Sequence, residues 1–144
     1  MDELRLRLFE DDLPVPGYKT AGAAGFDLYT RVTMDIAPGA IAYVPLNVAI
    51  EPPKGFWIQL CARSSLHKRG LMMGNGVGIL DQDFVGDTDE YKAILYNFSD
   101  AIVTIERGER LVQAVVLPLH QVKITQVSEL GNDSRGGIGT TGRH

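Results

Sequence analysis

The sequence predicts an all-β domain, an antiparallel sandwich or barrel, and three observations predict it. Short runs rich in β-branched and aromatic residues recur along the chain. Gly and Pro turns such as Pro38-Gly39, Pro52-Pro53-Lys54-Gly55 and Arg107-Gly108-Glu109 separate those runs at short intervals. The long stretch without either residue, Asp87 to Arg107, carries the turn-forming Asn97-Phe98-Ser99-Asp100 in its middle. At 144 residues the chain has material for one core and one domain.

Taken in order, Leu4, Leu6 and Leu8 alternate with Arg5 and Arg7, the period of a strand with one wet face. Further strands are expected at Phe26 to Thr30, Ala40 to Ile50, Gly55 to Ala62, Tyr91 to Asn97, Ala101 to Glu106, Leu111 to Leu117 and Val122 to Val127. A turn or two of helix is expected around Ser65 to Arg69. Five of the 16 glycines fall after Ser128, which divides the chain into a β domain, 1–127, and a flexible glycine-rich arm, 128–144.

Charge and composition exclude several functions. With 14 Lys+Arg against 18 Asp+Glu and a net charge of −4, a broad basic footprint for duplex nucleic acid is not expected. No apolar run approaches the roughly 18 residues that cross a bilayer, and Met1-Asp2-Glu3 does not open a signal peptide, so the expected location is the cytoplasm, away from membranes. The single cysteine, Cys61, has no disulfide partner, and His67, His120 and His144 are not spaced with it for zinc. Cys61 lies in the apolar run Phe56 to Ala62 and reads as a buried thiol, and Met72-Met73 reads as core packing.

Five segments combine glycine with polar or charged groups. Ala21 to Leu28 sets Asp27 after a glycine-rich turn; Arg63-Ser64-Ser65-Leu66 offers a guanidinium and hydroxyls at a strand end, suited to phosphate oxygens. Gly74 to Gly86 holds Asp81 and Asp83, which point to one side if the segment is a strand, and such carboxylates can orient a water or organise Mg²⁺. Arg107 to Gln113 is a charged turn entering an apolar strand, and Ser134 to Gly142 can wrap phosphates as a nest of N–H groups without being a P-loop. Each segment alone reads equally as a turn, a salt-bridged hairpin rim or a loose tail.

Together, AGFDL, ARSSL, GNGVGILDQDF, RGERLVQ and GGIGTTG stand in the order and at about the distances of the homotrimeric dUTPase family, which the chain closely resembles from Ala21 to Gly142. The resemblance implies a jelly-roll-like β-sandwich, a homotrimer with an exchanged C-terminal arm closing the site, and Mg²⁺-assisted hydrolysis of dUTP to dUMP and pyrophosphate. It makes Asp81 the catalytic carboxylate that activates the attacking water. Arg63, Ser64, Ser65 and Gln113 take phosphate-contacting positions, and Asp27 takes the carboxylate that reaches the metal only through water. Asn75 and the backbone from Gly76 to Asp83, Gly78 included, match the hairpin that reads uracil, while Phe84 stands where the family usually has the tyrosine that packs on deoxyribose. In the arm, Arg135, Gly137, Ile138, Gly139 and Thr140 match substrate-closing positions; Arg135 sits closer to the paired glycines than the family's arginine, and Ile138 replaces a stacking phenylalanine. Asp87 to Glu90 looks like a small insertion. The related dCTP deaminases need a glutamate near Ile94, which cannot carry a proton. A protein partner using the nucleotide site as a switch is permitted by the sequence but not indicated.

Overall fold

The computed structural model describes residues 2–139 and residue 142. The strands are β1 (Arg5–Leu8), β2 (Phe26–Tyr29), β3 (Met34–Ile36), β4 (Ile41–Pro45), β5 (Val48–Glu51), β6 (Phe56–Ala62), β7 (Leu71–Met73), β8 (Gly78–Leu80), β9 (Lys92–Asn97), β10 (Val103–Ile105) and β11 (Arg110–Pro118). A single 3₁₀ turn, Leu66–Arg69, precedes β7, and Gly70 ends it at φ 76°, where its N–H bonds the His67 carbonyl. Among the described residues no helix is long and apolar enough to cross a membrane.

Every strand pair is antiparallel. One sheet has the order β2-β11-β6-β8, a second β4-β9-β7, and two ribbons pair β1 with β5 and β10 with β3. Alternation places Leu28, Ile58, Leu60, Val112 and Ala114 of the first sheet against Val44, Leu71, Ala93 and Leu95 of the second, all buried in one continuous core. This is a jelly-roll sandwich. Each fully buried leucine or isoleucine contributes roughly 1.5–3 kcal/mol, and the central pair β6/β11, in register from Val112↔Ala62 to Pro118↔Phe56, carries the most such positions.

The expected strand Ala40 to Ile50 is two strands. The chain turns at Leu46-Asn47, where Asn47 has φ 69°, a conformation asparagine tolerates better than most residues. The Asn47 amide fixes the corner: Oδ1 accepts the Glu10 N–H at 2.7 Å and Nδ2 donates to the Glu10 carbonyl at 3.0 Å. The turn lets β4 pair with β9 while β5 pairs with β1. Strands β3 and β7, three residues each, were too short to show a period in sequence.

The expected strand Val122 to Val127 is not formed. Residues 119–139 lie in no strand, and Val122, Ile124 and Val127 are exposed, Ile124 at 92%. Their β propensity is not used in any strand pairing among the described residues. Two smaller expectations also change. Met73 is buried but Met72 is half exposed. Cys61 is only partly buried, because it stands on the outer face of β6 while Ile58 and Leu60 take the inner one.

Candidate active site

Asp27, on β2, lies beside Gln113 of β11, which in turn lies beside Cys61 of β6. That register brings the first, second and fourth sequence segments to one corner. Arg63 Nε stands 3.3 Å from Asp27 Oδ1, and Arg110 Nη1 stands 3.3 Å from Asp27 Oδ2. Arg63 Nη1 also donates to the Arg110 carbonyl at 2.8 Å. The Asp27 side chain is only 16% exposed, so its charge is held between two guanidiniums in partly desolvated surroundings.

Local irregularities build this corner. The register of β11 against β2 shifts between Arg110 and Val112, a bulge that buries both Leu111 and Val112 and turns Arg110 toward Asp27. Gly25 is required for packing: a Cβ there would stand 2.8 Å from the Ala114 carbonyl oxygen and 2.9 Å from Gln113 Oε1. Gln113 Nε2 donates to the Ala62 carbonyl at 3.2 Å. Ser64 and Ser65 are exposed at the entry to the 3₁₀ turn, and a cleft of about 370 Å³ runs from Arg63 and Ser65 past Lys68 and Arg69 to Arg110. Four cations set against two carboxylates, Asp27 and Glu109, leave this corner net positive, and with hydroxyls and loop N–H groups beside them it suits a polyphosphate. Arg69 is braced by Glu109 and by the Thr104 carbonyl.

The third segment lies elsewhere on the subunit. Gly78 sits tightly on β6, where a Cβ would come within 2.9 Å of Leu60 Cβ. Asn75 is exposed on the connection from β7 to β8. The expectation that Asp81 and Asp83 share a strand face is corrected: the strand ends at Leu80, and the Phe84 N–H bonds the Asp81 carbonyl at 3.1 Å, closing a turn. Both carboxylates remain exposed and line a cleft of about 520 Å³ with Trp57, Ile79 and Gln121. Since Leu80 pairs with Ile58, Asp81 is level with Trp57, six residues before Arg63, which at about 3.3 Å per residue is roughly 20 Å. One subunit therefore does not join Asp81 to the Arg63 corner.

In the arm, Arg135, Gly137, Ile138 and Gly139 are exposed, with nothing within 4 Å of a Cβ built on Gly137 or Gly139. Thr140 lies outside the described residues. Among the described residues no three His, Cys, Asp or Glu side chains converge on a metal position. Sequence reasoning missed Arg110, Lys68 and Arg69 as members of the basic corner. Arg110 stood in the RGER segment, but only the bulge directs it to Asp27.

Comparison with known proteins bears on the whole chain. The dUTPase family profile matches residues 11–142. The deoxyuridine 5'-triphosphate nucleotidohydrolase of Hydrogenobaculum sp. (strain Y04AAS1) is 38% identical over 144 residues, covering 97% of this chain and 98% of that protein. The crystal structure of dUTPase from Streptococcus mutans is 33% identical with a TM-score of 0.74, covering 82% of this chain and 98% of that one. The dUTPase of Staphylococcus bacteriophage 80alpha shares the fold at a TM-score of 0.86 and 21% identity, over 99% of this chain and 100% of that one. With the first four segments placed on such a sandwich and the match running through nearly all of its length, the chain belongs to the dUTPase family.

Proposed function

We propose that the chain hydrolyses dUTP to dUMP and pyrophosphate as a homotrimer whose active sites are shared between subunits. The observation that carries this is the basic corner around Asp27, built and braced as a polyphosphate seat, in a chain of this family. Arg63, Ser64, Ser65 and Gln113 hold phosphate oxygens. Asp81 takes a proton from water, the water oxygen bonds the α-phosphorus, and the bond from that phosphorus to the bridging oxygen breaks, releasing pyrophosphate. Asn75 and the backbone around Gly78 read the uracil edge, Phe84 packs on deoxyribose, and Arg135, Gly137, Ile138, Gly139 and Thr140 close over the nucleotide.

The separation of Asp81 from Arg63 is what supports sharing between subunits, because reacting groups must meet within hydrogen-bond reach. Two further features support self-association. The outer face of the β4-β9-β7 sheet is apolar, with Tyr43, Ile41 and Met72 exposed at 63%, 58% and 50% beside Ile94 and Tyr96. The extended segment through Val122, Ile124 and Val127 also leaves apolar side chains uncovered, as an arm exchanged with a neighbour would before docking. Magnesium fits this donor set as an ion carried in by the triphosphate, since Mg²⁺ keeps several waters and binds mainly through substrate phosphates. When bound it would neutralise phosphate charge, with Asp27 as the carboxylate that would face its water shell.

Parallel product analysis with dUTP, dCTP and dTTP tests the reading: dUMP and pyrophosphate from dUTP alone is the expected result, and deamination of dCTP or no turnover overturns it. Asp81→Asn should lower single-turnover hydrolysis by a factor of about 10² or more while calorimetry with a non-hydrolysable dUTP analogue shows little loss of affinity, because an amide is too weak a base to take the proton.

A further inference from the structure

We propose that Tyr91 is the positioning residue for Phe84, and through it for the discrimination of dUTP from UTP; the inference rests on the dUTPase reading above. The Phe84 ring is stacked on the Tyr91 ring, with centroids 6.2 Å apart and planes 27° from parallel. Phe84 is 36% exposed, whereas Tyr91 is buried to 1%. One face of the phenylalanine therefore rests on a fixed aromatic floor while the rest of the ring looks into a cleft of about 500 Å³ that Tyr43, Leu80, Thr88 and Lys92 help to line.

The floor is anchored from every side. The Tyr91 N–H donates to the Val48 carbonyl at 2.8 Å, and its own carbonyl accepts from Leu46 at 2.9 Å. The preceding residue, Glu90, holds Arg31 with both oxygens at 2.7 and 3.1 Å and accepts the Asn47 N–H at 2.9 Å. Upstream, the residues after Gly86 close a turn in which Asp89 Oδ2 accepts the Gly86 N–H at 2.9 Å. Phe84, by contrast, is held by the turn bond to Asp81 and by the stack.

A ring that excludes a 2′-hydroxyl must be fixed more finely than the size of one oxygen atom, because a surface that yields by that much admits the ribonucleotide. Phe84 has no phenol with which to fix itself by a hydrogen bond, so ring-on-ring packing sets its position. Among the described residues nothing hydrogen-bonds the Tyr91 hydroxyl; the ring of Tyr91 serves this purpose, and its oxygen does not.

The test compares kcat/KM for dUTP and UTP in the wild type, Tyr91→Phe, Tyr91→Leu, Phe84→Leu and the Tyr91→Leu/Phe84→Leu double variant. Tyr91→Phe should keep the dUTP/UTP ratio within about twofold, Tyr91→Leu should lower it about tenfold, and the double variant should be no worse than Phe84→Leu alone, since both changes remove one stack. If Tyr91→Leu lacks a cooperative unfolding transition, Tyr91→Met makes the same comparison. With 4-fluorophenylalanine incorporated, the Phe84 resonance, assigned by its absence in Phe84→Leu, should move in the aliphatic variants and stay near its place in Tyr91→Phe. An unchanged ratio in a folded aliphatic variant, additive losses in the double variant, or equal damage from Tyr91→Phe overturns the inference. A wild type that does not hydrolyse dUTP instead overturns the functional reading, and the fluorine shifts still decide whether Tyr91 positions the ring.

Discussion

Single residues in this protein are constrained by what stands within 3 Å of them. Gly25 is one: an added methyl meets the Ala114 carbonyl at 2.8 Å and the Gln113 amide at 2.9 Å. Gly25→Ala should cost about 1–3 kcal/mol in chemical denaturation and lower dUTP turnover by displacing Gln113. Tyr91 is another. Its buried phenol has no partner among the described residues, and an unsatisfied buried hydroxyl costs about 1–3 kcal/mol, so Tyr91→Phe should be stabilised by about 1 kcal/mol near neutral pH. Burial also pushes the phenol well above its ordinary value of 10.0. The unfolded chain ionises Tyr91 near pH 10 while the folded chain resists, so this contribution to stability is intact below about pH 10 and is lost as the pH rises beyond it. Denaturation at pH 8 and pH 10.5 should show the advantage of Tyr91→Phe growing at the higher pH; a constant difference would contradict the burial of that hydroxyl.

At the scale of elements, the site is made by ends and interruptions of strands. The β11 bulge aims Arg110, the 3₁₀ turn presents Ser64 and Ser65, and the turn after β8 carries Asp81 and Phe84 together. The C-terminal segment is different in kind: residues 128–139 are exposed throughout, and Gly131, Gly136 and Gly139 have positive φ. Such a segment contributes little to the core, and in the proposed trimer it takes on order when it meets phosphate and a neighbouring subunit. Deleting residues 134–144 should leave the thermal midpoint within a few degrees and lower turnover more than about tenfold, measured by calorimetry and steady-state kinetics. Unchanged turnover would remove the arm from the active site.

For the whole molecule, the decisive feature is the distance between Asp81 and the Arg63 corner. If the trimer brings them together, activity depends on assembly. Met72→Asp places a charge in the exposed apolar face of β4-β9-β7, at a side chain that is 50% exposed and does not line the Phe84 cleft, and a charge there is costly in an interface. Sedimentation should show a folded monomer, and dUTP turnover should fall in proportion to the lost trimer. A monomeric, fully active variant would show that one subunit suffices.

The fold class and most strand positions were legible in the sequence, because period-two burial and turn glycines are local properties, whereas the candidate site residues stood out through the resemblance of five ordered segments to one family. The sequence placed β2, β6, β9 and β11 within a residue or two, and it marked Asp27, Arg63, Gln113 and Asp81 as chemical candidates. Tertiary structure decided what local pattern does not encode. The Asn47 corner, which divides one apolar run between two sheets, depends on Glu10 and Glu90 from distant segments. The β propensity of Val122 to Val127 did not become a strand, because a strand needs an edge to bond and the segment pairs with none among the described residues. Asp27 acquired two arginines only through the register of β2 and β6 with β11, and Asp81 was carried about 20 Å from them by the length of β6. Pattern fixes which face of a strand is wet, but only the pairing of strands fixes which wet residues meet.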